Sequence, residues 1–314
     1  MIAIECTQLT KDYPVGFWRQ RPRRALDQLS LQVEAGEIFG FLGHNGAGKT
    51  TTLKLLLRLV YPTAGTARIL GKPIGDPRLA RQIGYLPEAP YFYDYLTCRE
   101  LLAYYAELAG VAPATREADV RVALRRLGME SFADLSLRKC SKGMLQRVGL
   151  AQAIVHRPAV VFLDEPMSGL DPIGRREVRD LMLELKAQGT TIFFSTHILS
   201  DAEQICDRVA ILQQGCLRGM GRLEELLAEP RPEVEVVWMP ASNRPLPEAW
   251  ASAAQLLSQN GQRRSVVASC ELWNWLDALR AHGGRLISLT PLRRSLEEVY
   301  FQDAPPKDAS GGAA

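Results

Sequence analysis

A chain of 314 residues, 46% hydrophobic and 23% charged, carries enough apolar mass for one large globular domain and a smaller one. Its formal charge of +3 is too weak to point to nucleic acid as the partner. No run approaches the roughly 20 apolar residues of a membrane-spanning helix.

The opening Met1-Ile2-Ala3-Ile4-Glu5 lacks the charged and apolar regions of a secretory signal, so the chain is expected to stay in the cytoplasm. The six cysteines contain no CxxC pair and sit mostly in apolar runs, which predicts reduced thiols and no zinc site.

Residues 2–6 read as a short strand, followed by a turn at Pro14 and Gly16. The basic, aromatic segment 17–24, with Pro22 inside it, reads as a solvated hairpin tip or loop, or as a surface for anionic lipid or a membrane partner. Alternation resumes over 26–33, and 37–42 is a compact apolar run suited to a buried strand. A helical pattern over 49–60 stops at Pro62 and Gly65. Further helices are predicted over 95–108 and 117–127, with Gly110 and Pro113 marking the break, and over 146–155, 175–188 and 200–206. Strands are predicted at 160–163, 191–195 and 209–213. Strands alternating with helices imply an α/β fold on a mostly parallel sheet.

Past Pro230-Arg231-Pro232 the pattern becomes a small α+β module. Its expected strands are 233–238, 265–269 and 285–289, and its expected helices 249–257, 271–281 and 295–301. Residues 304–314, rich in Pro, Ser, Gly and Ala, are expected to be a disordered tail. The expected domains are 1–228 and 233–303.

Gly43-His44-Asn45-Gly46-Ala47-Gly48-Lys49-Thr50 fits GxxxxGK[ST] between a predicted strand and a predicted helix. Glycines let the backbone curl so that successive N–H groups face phosphate oxygens at the positive end of a helix. Lys49 is placed to reach the β- and γ-phosphates of ATP, the Thr50 hydroxyl to bind Mg²⁺, and Thr51 to touch a neighbouring phosphate. His44 is read as a spacer.

Asp164 and Glu165 end an apolar strand, where carboxylates are costly unless a cation meets them. Asp164 is expected to hold Mg²⁺ through water, leaving Glu165 to orient or deprotonate the attacking water. His197, just past the strand 191–195, lies at the rim where ligands bind in parallel sheets and could donate to the γ-phosphate.

These pieces fit several P-loop ATPases, and Cys140-Ser141-Lys142-Gly143-Met144 narrows the class. It resembles the signature of ABC ATPases, usually written LSGGQ, keeping Ser141 and Gly143 and departing at Cys140, Lys142 and Met144. The resemblance implies that Ser141 and Gly143 meet the γ-phosphate held by a second copy of the chain. Ser168-Gly169-Leu170-Asp171 resembles the D-loop that crosses the dimer interface, and Tyr13 the aromatic that stacks on adenine. Ile83-Gly84-Tyr85-Leu86-Pro87-Glu88 resembles the Q-loop, with Glu88 where glutamine is usual. A carboxylate there would hold Mg²⁺ more strongly than an amide.

The resemblance covers residues 2–227 and implies a P-loop fold with an antiparallel β subdomain and a helical subdomain beside the parallel sheet. Tyr85 to Glu88, Ser141 to Met144 and the closing Ser295 to Tyr300 resemble the ATPases of bacterial drug, polysaccharide and gliding-motility exporters. That likeness implies a homodimer docked on separately encoded polytopic permease subunits at the cytoplasmic face of the inner membrane. The C-terminal module would then stabilise the dimer or regulate it. The competing functions are mechanical extraction or assembly at the membrane, and a soluble ABC ATPase acting on ribosomes or DNA. One ATPase half and no sustained heptads argue against the last.

Overall fold

The computed structural model describes residues 1–15, 21–227, 230–241, 255–256, 261–293 and 296. The chain divides into two units, Met1–Leu223 and Glu224–Ala314. The first runs β1 (Ile2–Val15), β2 (Arg21–Glu34), β3 (Ile38–Leu42), α1 (Lys49–Leu56), β4 (Ala64–Ile69), β5 (Lys72–Pro73), β6 (Ile83–Leu86), α2 (Cys98–Leu108), α3 (Pro113–Arg126) and α4 (Lys142–Ile154). It continues through β7 (Val160–Asp164), α5 (Pro172–Ala187), β8 (Thr191–Thr196), α6 (Leu199–Ile205), β9 (Arg208–Gln213) and β10 (Cys216–Arg222), and a short α7 (Leu223–Leu226) follows.

Six strands form a sheet in the order β10-β9-β3-β8-β7-β6, parallel at every pairing except β9 with β10. Its strands are apolar on both faces, as a covered parallel sheet requires: all five residues of β3 and of β7 are buried. Phe193 of β8 stacks on Phe39 at 5.5 Å and meets Phe162 of β7 at 5.7 Å, so one aromatic row ties three adjacent strands together. Each such ring, fully buried, contributes about 1.5–3 kcal/mol relative to exposure.

A second, antiparallel sheet has the order β2-β1-β4-β5. Its strands run well beyond the predicted ones, because β1 is bulged. Its pairing with β2 shifts register between Cys6 and Leu9, where Gln8 has φ 49. A bulge breaks the alternation by which a strand is read, so the first strand looked finished at Cys6. The segment 17–24 is corrected in the same way: residues 21–24 belong to β2, and 16–20 lie outside the described residues.

The helical part, α2 to α4, begins at Thr97. Its side chain accepts from Glu100 N–H at 3.2 Å, and Glu100 accepts from Thr97 N–H at 2.8 Å. This capping box sets the start at Cys98, not at the predicted residue 95. Pro113 opens α3 at its first turn, where its missing N–H costs nothing, so it starts a helix and does not merely separate two. The helix predicted over 49–60 ends at Leu56, and Arg58 has φ 58.

His156, after α4, donates from Nε2 to Ile83 O at 3.0 Å, and its Nδ1 is buried with no partner among the described residues. Burial pushes this imidazole below its ordinary 6.5. The unfolded chain therefore takes up a proton near pH 6.5 that the folded chain resists, and stability falls as pH drops below that value. We expect the unfolding free energy from urea titrations to decline from pH 7 to 5.5 by at most about 1.4 kcal/mol per pH unit from this group, and His156→Gln to flatten the slope. Parallel slopes for the two proteins would refute this.

The second unit contains β11 (Pro230–Met239), β12 (Gln255–Leu256), β13 (Arg263–Ala268), α8 (Leu272–Ala281) and β14 (Arg285–Arg293). The strands form an antiparallel sheet in the order β12-β13-β11-β14. Trp238 is its centre, packed edge-on to Trp275 at 5.7 Å and donating from Nε1 to Ser265 Oγ at 3.1 Å. The helix expected over 249–257 is corrected at 255–256, which pair with β13; 249–254 and 257 lie outside the described residues. Of the predicted helix 295–301 only Leu296 is described, and it is helical and buried; the predicted tail 304–314 lies outside the described residues.

Candidate active site

The C-terminal ends of β3, β7 and β8 converge. From Leu42 the chain enters the loop Gly43–Thr50, whose Gly43 N–H donates to Thr196 O at 3.3 Å. The loop needs its glycines: Gly48 has φ 111, and a Cβ there would lie 2.6 Å from Ala25 O. A Cβ on Gly43 would lie 2.5 Å from Leu212 O.

Lys49 opens α1 and is 5% exposed. Its Nζ donates to Gly43 O at 2.6 Å and His44 O at 3.4 Å, and lies 3.1 Å from Glu165 Oε1. This last contact is an ion pair without hydrogen-bond alignment, since Oε1 is buried and accepts no hydrogen bond among the described residues. The other Glu165 oxygen, Oε2, is 2.8 Å from His197 Nδ1. The His197 side chain is 42% exposed, so one ring nitrogen serves Glu165 while the ring reaches solvent.

Asp164, one residue earlier, is 1% exposed. Ser195 Oγ donates to its Oδ1 at 2.6 Å, while Oδ2 is buried and without a partner among the described residues. An orphaned acceptor on an ionisable group fits a divalent cation: a carboxylate oxygen beside a phosphate loop is the donor type Mg²⁺ takes. The nearby Tyr85 phenol, pushed up to about 12 by burial and then by the Asp164 charge, stays neutral next to it.

In front of these groups lies a cavity of about 830 Å³. Tyr13, Thr50, Thr51 and Glu88 line it together with His44, Asn45, Gly46, Gly48, Lys49 and Glu165. These sequence-predicted residues thus come together around one space; Gly43, Ala47, Asp164 and His197 do not line it, though His197 is bonded to Glu165. Ser141 and Gly143 do not line it. Ser141 caps α4, its Oγ accepting from Met144 N–H at 3.2 Å, and is exposed. The run Ser168 to Asp171 leads into α5, where Asp171 Oδ1 accepts from Gly174 N–H at 2.7 Å.

Four participants escaped sequence reading. Arg23 and Arg24 line the cavity because β2 pairs Arg23 with Tyr13 and Arg24 with Asp12, so part of the basic segment serves this space. Ser195 bridges the Asp164 carboxylate and the Glu165 backbone N–H. Gln146 of α4 donates to Pro166 O at 2.9 Å, tying the signature helix to the loop after β7. The serine interrupting the apolar run Ile192-Phe193-Phe194 was the one visible signal among them.

Comparison with known proteins agrees with this geometry. The family described as "ABC transporter" matches residues 26–168. An uncharacterised ABC transporter ATP-binding protein of Synechocystis is 43% identical over 302 residues, covering 95% of this chain and 84% of that protein. The Nod factor export ATP-binding protein I of Paraburkholderia xenovorans is 37% identical, covering 72% of this chain and 73% of its own. A solved ATP-binding subunit of an ABC transporter superposes with TM-score 0.64 at 34% identity, over 71% of this chain and 91% of that one.

Proposed function

Because the chain belongs to the ABC transporter ATP-binding proteins, and so is the ATP-binding and ATP-hydrolysing subunit of a transporter, we propose that it drives export. Two copies close head to tail on two ATP molecules beneath separately encoded polytopic membrane subunits, at the cytoplasmic face of the inner membrane. Residues 1–228 are the ATPase and 233–303 an accessory domain. The name of the Nod factor relative supports the direction of transport.

One observation carries the hydrolytic reading: the two oxygens of Glu165 are divided between Lys49 and His197 beside the phosphate loop. Lys49 rests on Glu165 and two loop carbonyls. An arriving γ-phosphate draws Lys49 away, and Glu165 Oε1 is released to accept a proton from water. His197 orients the other oxygen through Nδ1, and its exposed ring edge faces the space for the γ-phosphate. Tyr13 stacks on adenine, and the loop N–H groups together with Thr51 hold the phosphates. Ser141 and Gly143 of the second copy close the site, with Ser168 to Asp171 at the interface. Thr50, Glu88 and, through water, Asp164 would hold Mg²⁺. The chemistry supplied there is neutralisation of charge on the phosphate oxygens.

Next to Glu88 stand Tyr91, Tyr93 and Tyr95, exposed by 95%, 54% and 68%. Apolar rings left in water at this density suit a protein partner, and we assign the membrane subunit to them. The test is to tag Glu165→Gln in its host, hold it with ATP in mild detergent, and identify what copurifies. A polytopic membrane protein in near-equal amount is expected. Ribosomes, DNA or no membrane protein would overturn the docking.

A further inference from the structure

Asp164 and Glu165 are adjacent, yet the reading above gives them different work, one toward a cation and one toward water. Asp164 ends β7 and Glu165 follows it, so the direction of the second carboxylate is set by the turn and not by strand alternation. Ser195 sits opposite Asp164 in the parallel register of β7 and β8 and is fully buried. Its hydroxyl makes two bonds at once, donating to Asp164 Oδ1 at 2.6 Å and accepting from Glu165 N–H at 3.1 Å. Its carbonyl takes the same N–H at 3.2 Å. Glu165 has φ 51, in the left-handed region that residues bearing a side chain rarely occupy.

We propose that Ser195 is a positioning residue for ATP hydrolysis. Its hydroxyl proton occupies Oδ1 and so leaves Oδ2 as the oxygen offered to the cation. Its oxygen clamps the Glu165 N–H and so holds the left-handed turn that sends this carboxylate back toward Lys49 and His197. The choice of residue supports the assignment. A hydroxyl inside an otherwise apolar strand is costly unless bonded, and here both its donor and acceptor capacities are used on the two acidic residues. An apolar residue at 195 would leave Asp164 buried with neither oxygen bonded.

This inference rests on the roles given to Asp164 and Glu165, and the experiment separates its failure from theirs. Full-length Ser195→Ala, Ser195→Thr and Asp164→Asn are compared with the native chain. The readouts are metal-free ATP affinity by a fluorescent analogue, Mn²⁺ affinity by electron paramagnetic resonance with a non-hydrolysable ATP analogue, kcat, KM and melting temperature. Ser195→Ala is expected to stay folded and to keep its metal-free ATP affinity. Its Mn²⁺ affinity and kcat should each fall roughly 10- to 100-fold, the range for removing a group that orients a ligand, with KM nearly unchanged. Threonine, which keeps the hydroxyl, should recover both.

A Ser195→Ala kcat within about threefold of native overturns the proposal, being below the effect expected of an orienting group. So does a loss that follows a lowered melting temperature and weaker metal-free ATP binding in equal measure, since that is a structural role only. If the alanine variant does not fold, Ser195→Cys, which fills the space with a weaker donor, carries the same comparison with the same outcomes. Native Mn²⁺ affinity in Asp164→Asn would instead sink the metal reading itself.

Discussion

Glu165→Gln is expected to lower ATP turnover roughly 10²- to 10⁴-fold, the usual contribution of a positioned general base. Nucleotide binding should survive and should tighten. The Glu165 carboxylate lies 3.1 Å from Lys49 Nζ and would compete with phosphate for that cation. Glutamine has the same shape, keeps an oxygen or amide toward His197, and carries no charge to compete. Phosphate release under single-turnover conditions measures the first effect and equilibrium binding of labelled ATP the second. Turnover within tenfold of native would remove Glu165 from the role of base. Weaker binding would mean that the carboxylate helps to assemble the site and does not compete with the nucleotide.

Lys49→Met should have two separable consequences. Loss of the buried cation is expected to weaken ATP binding by ~10²-fold or more, since an opposite charge in a desolvated site loses its partner. It should also destabilise the nucleotide-free chain by about 3 kcal/mol, because Glu165 is left buried with its Lys49 partner removed. The side chains are only 5% and 7% exposed, so water cannot replace the lysine cheaply. Combining Lys49→Met with Glu165→Gln should recover most of the stability and none of the turnover. A double-mutant cycle by urea unfolding gives the coupling directly. Additive losses would show that the ion pair contributes nothing to the resting chain.

The buried ion pair also accounts for how the site rests. Lys49 and Glu165 lie 3.1 Å apart at the C-terminal edge of the sheet. Close backbone approach at Gly43 and Gly48 and the pairing of β3 with β8 and β9 hold the loop against its neighbours.

Much of this was legible in the amino-acid order because it is local chemistry. The phosphate loop, the carboxylate pair after an apolar strand and the serine before α4 each lie within a few consecutive residues. Their backbone conformations follow from glycine, from capping and from burial, and need no distant partner to be recognised. The parallel sheet was legible for a similar reason: its strands are apolar on both faces and separated by helices. Reading failed where the pattern is broken from within, as at the bulge near Gln8, and where a strand is only two residues long, as at Lys72–Pro73.

What only the tertiary structure decided is who meets whom across the sheet. Arg23 joins the nucleotide cavity because antiparallel register puts it opposite Tyr13. Ser195 reaches Asp164 because β8 is inserted between β3 and β7, and Gln146 reaches Pro166 because α4 packs back on the loop that follows β7. Strand order and register are settled by packing the whole apolar set at once, and no short window of sequence holds that information. The sequence by itself therefore determined the family and which motif residues gather at the cavity. Folding determined the supports that hold those groups in place.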